Sequence, residues 1–129
     1  MVTFKSFEEI EGWQKARELT RAVYAVSAEG GFAKDFGLRD QVRRASVSIM
    51  ANIAEGFDRS GTGEFAQFLA IAKASAAEVR SHLYVALDQR YITEQAFNEM
   101  TDLAAETGRI IGGLMRYLRE TDIKGTKFR

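Results

Sequence analysis

The only histidine of the chain, His82, lies one helical turn after Glu78 in a segment with helical periodicity. Residues four apart share a helix face, so this imidazole and this carboxylate could hold one metal ion together. Metal centres in helical bundles, however, combine several carboxylates with two histidines in Glu-x-x-His pairs. This chain has one histidine and no such pair. We therefore expect His82 to be a partly buried or interface residue, and we predict no metal site and no cofactor.

The other polar motifs do not form a catalytic arrangement. No serine or threonine has a plausible histidine base with an orienting acid. The segment FDRSGTGEF, residues 57–65, has two glycines before a helix but lacks the Gly-x-x-x-x-Gly-Lys pattern that cradles a nucleotide phosphate. Its glycines are typical of a tight turn, although the N-terminus of the following helix could bind an anion. The sequence therefore predicts a protein that is not an enzyme.

Arginines are concentrated in the second predicted helix and in the loop after it: Arg39, Arg43, Arg44 and Arg59. The first two are one turn apart and so share a helix face, from which they could contact phosphate groups. This spacing motivates the hypothesis of an RNA- or DNA-binding accessory module that uses a local arginine patch. The basic tail residues Lys124, Lys127 and Arg129 would extend that patch.

The same arginines also have acidic residues available, namely Asp40, Glu55 and Glu78. Arg44 precedes Glu55 by eleven residues, which returns to nearly the same helix face. We therefore favour structural or interface ion pairs over phosphate contacts. Asn52 occupies a position in the apolar seam of this helix, where a buried amide typically specifies partner and register.

Apolar residues recur at steps of three and four along four segments, which predicts four amphipathic helices. The connections are short, so neighbouring helices should be antiparallel. No stretch shows the alternation that is typical of a strand. The sequence thus predicts an all-α, up-down-up-down antiparallel four-helix bundle, formed by a single domain over residues 1–129 with a core at about 7–119 and a flexible tail at 120–129. The helices are predicted at about residues 7–28, 38–55, 63–89 and 94–119.

Helix boundaries are indicated by capping residues and glycines. Ser6 and Glu9 form the Ser-x-x-Glu pattern of a capping box at the start of the first helix. Threonines precede the third and fourth helices as N-caps, and glycines should end the first and second helices. These residues are Thr62 and Thr93, and Gly30, Gly31 and Gly56.

The second and third predicted helices carry more apolar surface than one core can use. In the second helix the predicted seam consists of Leu38, Val42, Ala45, Ile49 and Asn52, and the off-seam apolar residues are Val47, Met50 and Ile53. The third helix has Phe68, Ile71 and a stripe of alanines off its seam. A helix that is apolar all round is buried all round. We therefore predict a homo-oligomer, since the simplest partner is another copy of the chain.

Composition limits the remaining function classes. The chain has no cysteine, which excludes disulfides and thiolate metal sites and fits a reducing compartment. The first ten residues are unlike a signal or transit peptide, and no apolar run approaches the roughly 20 residues that span a bilayer. We expect a cytoplasmic protein with no membrane partner. Lys and Arg total 18, as do Asp and Glu, so the basic excess of a dedicated nucleic-acid binder is missing.

Several motifs occur together along the chain: QVRRASVSI at 41–49, NIAEG at 52–56, Arg59, WQKA at 13–16, FGL at 36–38, and Phe65, Phe68, Leu69, Ile71, Ala72, Ser75 and Glu78. In these residues the sequence resembles the bacterial four-helix bundle family, also called the 23S rRNA intervening-sequence protein family. The resemblance extends from Phe7 to about Leu118 and is most specific in the second helix.

This resemblance implies a cytosolic four-helix bundle that assembles into a ring of five and has no assigned catalytic activity. The related accessory variability proteins of diversity-generating retroelements resemble a basic version of the fold that binds nucleic acid and a reverse transcriptase. The present chain departs from them in its balanced charge.

We therefore expect a non-enzymatic homo-oligomeric assembly or interaction protein, with a homopentamer implied by the resemblance. The alternative is the nucleic-acid-binding accessory module. A third hypothesis is an enzyme with a site at subunit interfaces around Asn52, Glu55 and His82. The candidate interface or ligand-contact residues are Arg39, Arg43, Arg44, Asn52, Glu55, Arg59, Glu78 and His82.

Overall fold

The computed structural model describes residues 4–59 and 61–127, with side chains through residue 121. Over these residues the chain is helical and contains no strand, so the prediction of an all-α fold is confirmed. None of the described helices combines the length and the apolar character that crossing a bilayer requires. A 3₁₀ turn, Phe7–Glu9, precedes the helices α1 (Glu11–Ser27), α2 (Gly30–Lys34), α3 (Phe36–Phe57), α4 (Thr62–Asp88) and α5 (Glu94–Lys127).

The four long helices surround one hydrophobic core. Helix α1 packs on α3, α3 on α4, α4 on α5 and α5 on α1. Fully burying an aliphatic side chain contributes about 1.5–3 kcal/mol, and all four helices supply such side chains. Those that are completely or almost completely buried include Leu19, Val23, Val42, Ile49, Ile53, Leu69, Val79, Leu83 and Ile111.

The core seam of α3 differs from the prediction at one position. Ile53 is fully buried, whereas Asn52 is only half-buried, so the assignment of Asn52 to the seam and of Ile53 off it was wrong. An α-helix turns once per 3.6 residues, so a strict alternation of three and four drifts around the helix over several turns. After Ile49 a step of four, rather than three, keeps the apolar side chain on the core side.

The first helix begins later than predicted, and the capping box does not form. Phe7–Glu9 is a separate 3₁₀ turn, and Ile10 is extended between it and α1. Ile10 is 2% exposed, so the chain bends here because this side chain enters the core. The Ser6 side chain caps no backbone group. Glu9 instead accepts a hydrogen bond from the backbone N–H of Lys5, at 2.7 Å.

The segment of Gly30 and Gly31 does more than end the first helix. Helix α1 ends at Ser27, and Gly30, at φ +52°, starts the short helix α2. This extra turn inserts Phe32 into the core. Asp35 then caps α3 by accepting a hydrogen bond from the Leu38 N–H at 3.2 Å, which lets α3 begin at Phe36 rather than at residue 38.

The side chain of Tyr91 attaches this cap to the start of α5. Its hydroxyl donates to Asp35 Oδ2 at 3.0 Å, and its ring stacks on Phe32 with the centroids 5.5 Å apart. The hydrogen bond to the carboxylate, followed by partial desolvation and the negative charge of Asp35, raises the pKa of the Tyr91 phenol above 10.0. The phenol is therefore held in its neutral, donating form.

Two glycines of the long helices lie where other helices approach closely. Gly56 was predicted to end the second helix, but it lies inside α3, which continues to Phe57. Gly56 is also buried. A Cβ atom at Gly56 would lie 2.6 Å from Phe68 Cβ. A Cβ atom at Gly12 would lie 3.2 Å from Ile111 Cγ1. Gly56 is thus explained by close packing of α3 on α4 rather than by helix termination.

The predicted boundaries of the last two helices were partly correct. Thr93 caps α5, because its Oγ1 accepts a hydrogen bond from the Ala96 N–H at 3.0 Å. Gly61 is the N-cap of α4, and Thr62 is the first helical residue rather than the cap. Helix α5 was predicted to end at about Arg119 but continues to Lys127, and no proline interrupts this extension.

Candidate functional site

The predicted arginine patch is divided among contacts within the chain. Arg39 pairs with Asp40 (Nε to Oδ1, 3.0 Å) and donates from Nη1 to the Ala33 carbonyl at 3.1 Å. Its guanidinium also lies 4.8 Å from the ring centroid of Phe36. Arg39 therefore fixes the first turn of α3 against α2.

Arg43 makes a second set of internal contacts, between α3 and α1. Its Nε donates to Ser27 Oγ at 2.7 Å, and its guanidinium lies 4.5 Å from the ring centroid of Tyr24. Ser27 is fully buried. The Ser27 hydroxyl also donates to the Tyr24 carbonyl at 3.4 Å, so loss of Arg43 would leave this buried group with one long hydrogen bond and no donor to its oxygen. Of the structural or interface ion pairs that were predicted for these arginines, Arg43 forms no structural one, because it has no carboxylate partner among the described residues.

Arg59 and Arg44 have different surroundings. Arg59 pairs with Glu55 at 3.0 Å and approaches Glu64 at 4.0 Å, and it lies over the ring of Phe68. Arg44 is exposed, and over the described residues it has no ion pair. Glu55 pairs with Arg59 rather than with Arg44, because eleven residues of helix separate Arg44 from Glu55 by about 16 Å along the axis.

Polar side chains connect α3 to α4 near the middle of both helices. The hydroxyls of Ser48 and Ser75 are hydrogen-bonded at 3.0 Å. The Asn52 amide donates to the Ser48 carbonyl at 2.8 Å and to the Ser48 hydroxyl at 3.0 Å. Asn52 is thus bonded within its own helix and, through Ser48, to α4.

His82 and Glu78 are in contact, as their spacing predicted. His82 Nε2 lies 3.2 Å from Glu78 Oε2, and the His82 side chain is 17% exposed. The described residues contain no group of three or more His, Asp or Glu side chains that could hold a metal ion. The pair therefore acts as a local hydrogen bond on α4.

Helices α3 and α4 carry exposed apolar residues, which we name the α3–α4 face: Val47, Ala51 and Ile71. Val47 is 42% exposed and Ile71 is 50% exposed, and Ala51 is exposed. The contact between Ser48 and Ser75 joins the two helices at this level. The charged side chains of Arg44, Glu55 and Glu78 lie on the same two helices and are exposed.

A second surface feature is a groove of about 790 Å³ between α4 and α5. Its floor consists of small residues, and its charged lining residues are all cations. We name it the α4–α5 groove: Ala70, Lys73, Ala74, Ala76, Ala77, Arg80, Ala104, Ala105, Gly108, Arg109, Gly112, Met115 and Arg116. A smaller hollow of about 270 Å³ shares Met115 with it and is lined by Arg119, Leu118 and the first turn of α4.

The cations of the α4–α5 groove were missed in the sequence. Lys73 and Arg80 are seven residues apart, as are Arg109 and Arg116, so each pair repeats on one helix face. This periodicity was available from the sequence. That the two faces meet depends on the register of α4 against α5, which only the packed structure provides.

Comparisons with known proteins give a family and a fold. The sequence profile of a family described as 23S rRNA-intervening sequence protein matches residues 8–113. A crystal structure of a protein with unknown function from the S23 ribosomal protein family of Bacteroides thetaiotaomicron VPI-5482 is similar, with a TM-score of 0.74 and 22% identity. The similarity covers 81% of this chain and 97% of that chain, and at this identity it shows the fold alone. No curated protein matches the sequence.

Proposed function

The chain belongs to the 23S rRNA-intervening sequence protein family, and we propose that it is a non-enzymatic assembly protein that works as a closed homo-oligomer. The observation that carries the proposal is the exposure of the large apolar side chains of the α3–α4 face, since Val47 and Ile71 are each at least 42% exposed. Exposed large apolar side chains that are grouped, rather than scattered singly, mark association surfaces.

The subunit of this assembly is proposed to be an up-down-up-down antiparallel four-helix bundle. Contacts between neighbouring helices support this topology, because residue numbers rise on one helix as they fall on the next. Ser48 contacts Ser75 while Arg59 approaches Glu64. Helices α1 and α3 show the same trend, since Thr20 contacts Met50 and Ser27 contacts Arg43. Between α4 and α5, Tyr84 contacts Phe97 and Lys73 lies near Gly112. Between α1 and α5, Gly12 lies near Ile111 and Lys15 pairs with Glu106.

The composition of the α3–α4 face suits a protein contact. A typical interface has an apolar core and a polar rim, and here Arg44, Glu55 and Glu78 are exposed charged residues on the same two helices as Val47 and Ile71. In a ring, the α3–α4 face of one subunit packs against a different surface of the next, since a closed ring is built from heterologous contacts. The family resemblance described above implies five subunits in the cytosol, and we adopt that number as part of the proposal.

A charged double variant of the α3–α4 face tests the proposal. In Val47→Glu/Ile71→Glu both new carboxylates remain solvated in a monomer but would be buried without partners in an interface, which costs several kcal/mol. We expect the oligomer mass from light scattering to fall to the chain mass of 14.4 kDa. The matched control Ala25→Glu, on the exposed side of α1, should keep the assembled mass.

Circular dichroism of the same samples measures their helical content and so distinguishes dissociation from unfolding. A double variant that dissociates but keeps its helical signal supports the α3–α4 face as the subunit contact. A double variant that keeps the full assembled mass contradicts this assignment. Equal dissociation of Ala25→Glu would also contradict it, because the effect would then follow added charge rather than position.

The internal bonds of Arg39, Arg43 and Arg59 argue against the alternative, a nucleic-acid-binding accessory module built on the arginine patch. Of that patch, only Arg44 is exposed and without an ion pair over the described residues. The side chains of Lys124 and Lys127, and the whole of Arg129, lie outside the described residues. A site at subunit interfaces around Asn52, Glu55 and His82 has no supporting geometry, because each of these side chains is bonded to an ordinary neighbour.

A further inference from the structure

The four cations of the α4–α5 groove have no partners within the described part of the chain. Lys73, Arg80, Arg109 and Arg116 make no hydrogen bond and no ion pair there. No carboxylate lines either the groove or the hollow next to it. In a chain with as many acidic as basic residues, the absence of any acid from this lining produces a local positive potential that attracts anions.

The cations follow one another along the groove. Tyr84 packs on Phe97, and Lys73 Nζ lies 3.4 Å from the position of a Cβ at Gly112. These two contacts fix the register of α5 against α4. In that register Arg109 lies at the same height along the bundle axis as the α4 segment between Lys73 and Arg80. Successive cations thus alternate between α4 and α5 in the order Arg80, Arg109, Lys73 and Arg116, with about 5 Å of helix rise from one to the next.

This spacing suits an extended chain of phosphates. The row of cations spans about 16 Å of helix rise, and a stacked nucleic-acid strand carries one phosphate per about 3.4 Å. Four or so phosphates could therefore face the four side chains. A single small anion would leave most of the row unused.

The floor of the groove leaves room for a bulky backbone. Nothing lies within 4 Å of the position that a Cβ atom would occupy at Gly108, and the atoms nearest to a Cβ at Gly112 belong to the flexible ends of Lys73 and Arg116. A glycine inside a helix costs about 1 kcal/mol relative to alanine, and at Gly108 no contact within the described chain requires one. Close approach of a ligand to the helix backbone is a physical reason for a glycine at this position.

The lining also limits how a nucleic acid would be recognised. It contains no aromatic side chain on which a base could stack and no Asn, Gln, Asp or Glu that could pair with a base edge. We propose that the α4–α5 groove binds the sugar–phosphate backbone of a single nucleic-acid strand by charge, without selecting its sequence. This inference does not rest on the homo-oligomer, because every subunit carries the whole groove.

The groove and the α3–α4 face lie on opposite sides of α4. Ile71 and Lys73 differ by two residues, which is about 160° around the helix. Burial of Ile71 therefore does not by itself cover Lys73 and Arg80, which stay accessible in a ring whose second contact surface lies outside the α4–α5 groove. Each subunit would then present one cationic groove, and several weak contacts on one strand would add through avidity.

The test measures binding of a fluorescein-labelled oligothymidylate of about 16 nucleotides by anisotropy over a series of salt concentrations. When Z cations of the protein contact a single strand, counterions are released from the strand. The logarithm of the affinity then falls with the logarithm of the salt concentration with a slope of about −0.7Z, so four contacts give a slope of about −3. We expect Lys73→Ala/Arg109→Ala to reduce this slope by about 1.4, which corresponds to roughly sixtyfold weaker binding at about 50 mM salt. Oligoadenylate should compete as well as oligothymidylate.

Two further variants separate the groove from net charge. Arg21→Ala/Lys34→Ala removes the same charge from exposed positions on α1 and α2, and it should keep the wild-type slope and affinity. Gly108→Leu keeps every charge but fills the groove, and it should weaken binding at least tenfold while the melting temperature does not fall.

Several results would overturn the proposal. One is a wild-type protein that does not bind at about 50 mM salt; another is equal weakening by the Arg21/Lys34 control. A third is equal competition by polyglutamate, which would identify a carboxylate-rich protein partner as the ligand. A change of oligomer mass in Lys73→Ala/Arg109→Ala would also overturn it, because the groove would then be a contact between copies.

Discussion

The glycine inside α3 provides the most direct test of how the helices pack. In Gly56→Ala the new methyl group would lie 2.6 Å from Phe68 Cβ and 3.0 Å from Phe65 Cδ1. Phe68 Cβ is attached to the backbone of α4, so it cannot move aside without displacing the helix. Overpacking of this kind costs about 1–3 kcal/mol, against which the better helix propensity of alanine contributes up to about 1 kcal/mol.

The expected net change for Gly56→Ala is a destabilisation of about 1–2 kcal/mol. In a domain of this size that corresponds to a decrease in melting temperature of about 4 °C per kcal/mol. Thermal and urea unfolding, followed by far-ultraviolet circular dichroism at one protein concentration, would measure it. The concentration must be fixed because association of the folded chain raises its apparent stability.

Gly108→Ala is the matched control, since it makes the same substitution inside a long helix. Nothing lies within 4 Å of a Cβ at this position, so this variant should be more stable than wild type by up to about 1 kcal/mol. If Gly56→Ala were as stable as Gly108→Ala, the close approach of α3 to α4 at Phe68 would be refuted.

Three more substitutions test contacts within the chain. Ile53→Ala should cost about 2–5 kcal/mol in urea unfolding, and a smaller loss than in Asn52→Ala would contradict the core position of Ile53. Arg43→Ala should destabilise the protein by about 1–3 kcal/mol because it leaves the buried Ser27 hydroxyl without its donor, and unchanged stability would contradict this contact. Tyr91→Phe should reduce stability at neutral pH. The bond to Asp35 raises the pKa of Tyr91 above 10.0. The difference in stability from wild type should therefore be fully present below about pH 10 and disappear as the pH rises through the raised pKa. A stability difference that is unchanged at alkaline pH would refute the bond.

The helical fold was predictable because its signals are local. Apolar steps of three and four identified each long helix, and the N-cap at Thr93 follows from a side chain and a backbone group three residues apart. Helix α2 was not predicted, because Gly30 and Gly31 are typical of a helix end. Only the position of Phe32 in the core explains why a further helical turn forms there.

The surface features depended more on tertiary contacts. The apolar excess of the second and third predicted helices did indicate exposed residues on both, and Val47 and Ile71 are exposed. The arginine patch was a poorer guide, because partners such as Ser27 for Arg43 lie on another helix and cannot be assigned from spacing. Prediction of the α4–α5 groove would have required the register of α4 against α5, which no local sequence pattern encodes.

Native mass by light scattering on a sizing column, at micromolar concentration, tests the proposed homo-oligomer most directly. The proposed ring predicts a mass near five times the chain mass of 14.4 kDa. Another multiple would preserve the homo-oligomer and contradict only the number of subunits. A mass of one chain would contradict the central claim, because Val47 and Ile71 would then be exposed in the stable form of the protein.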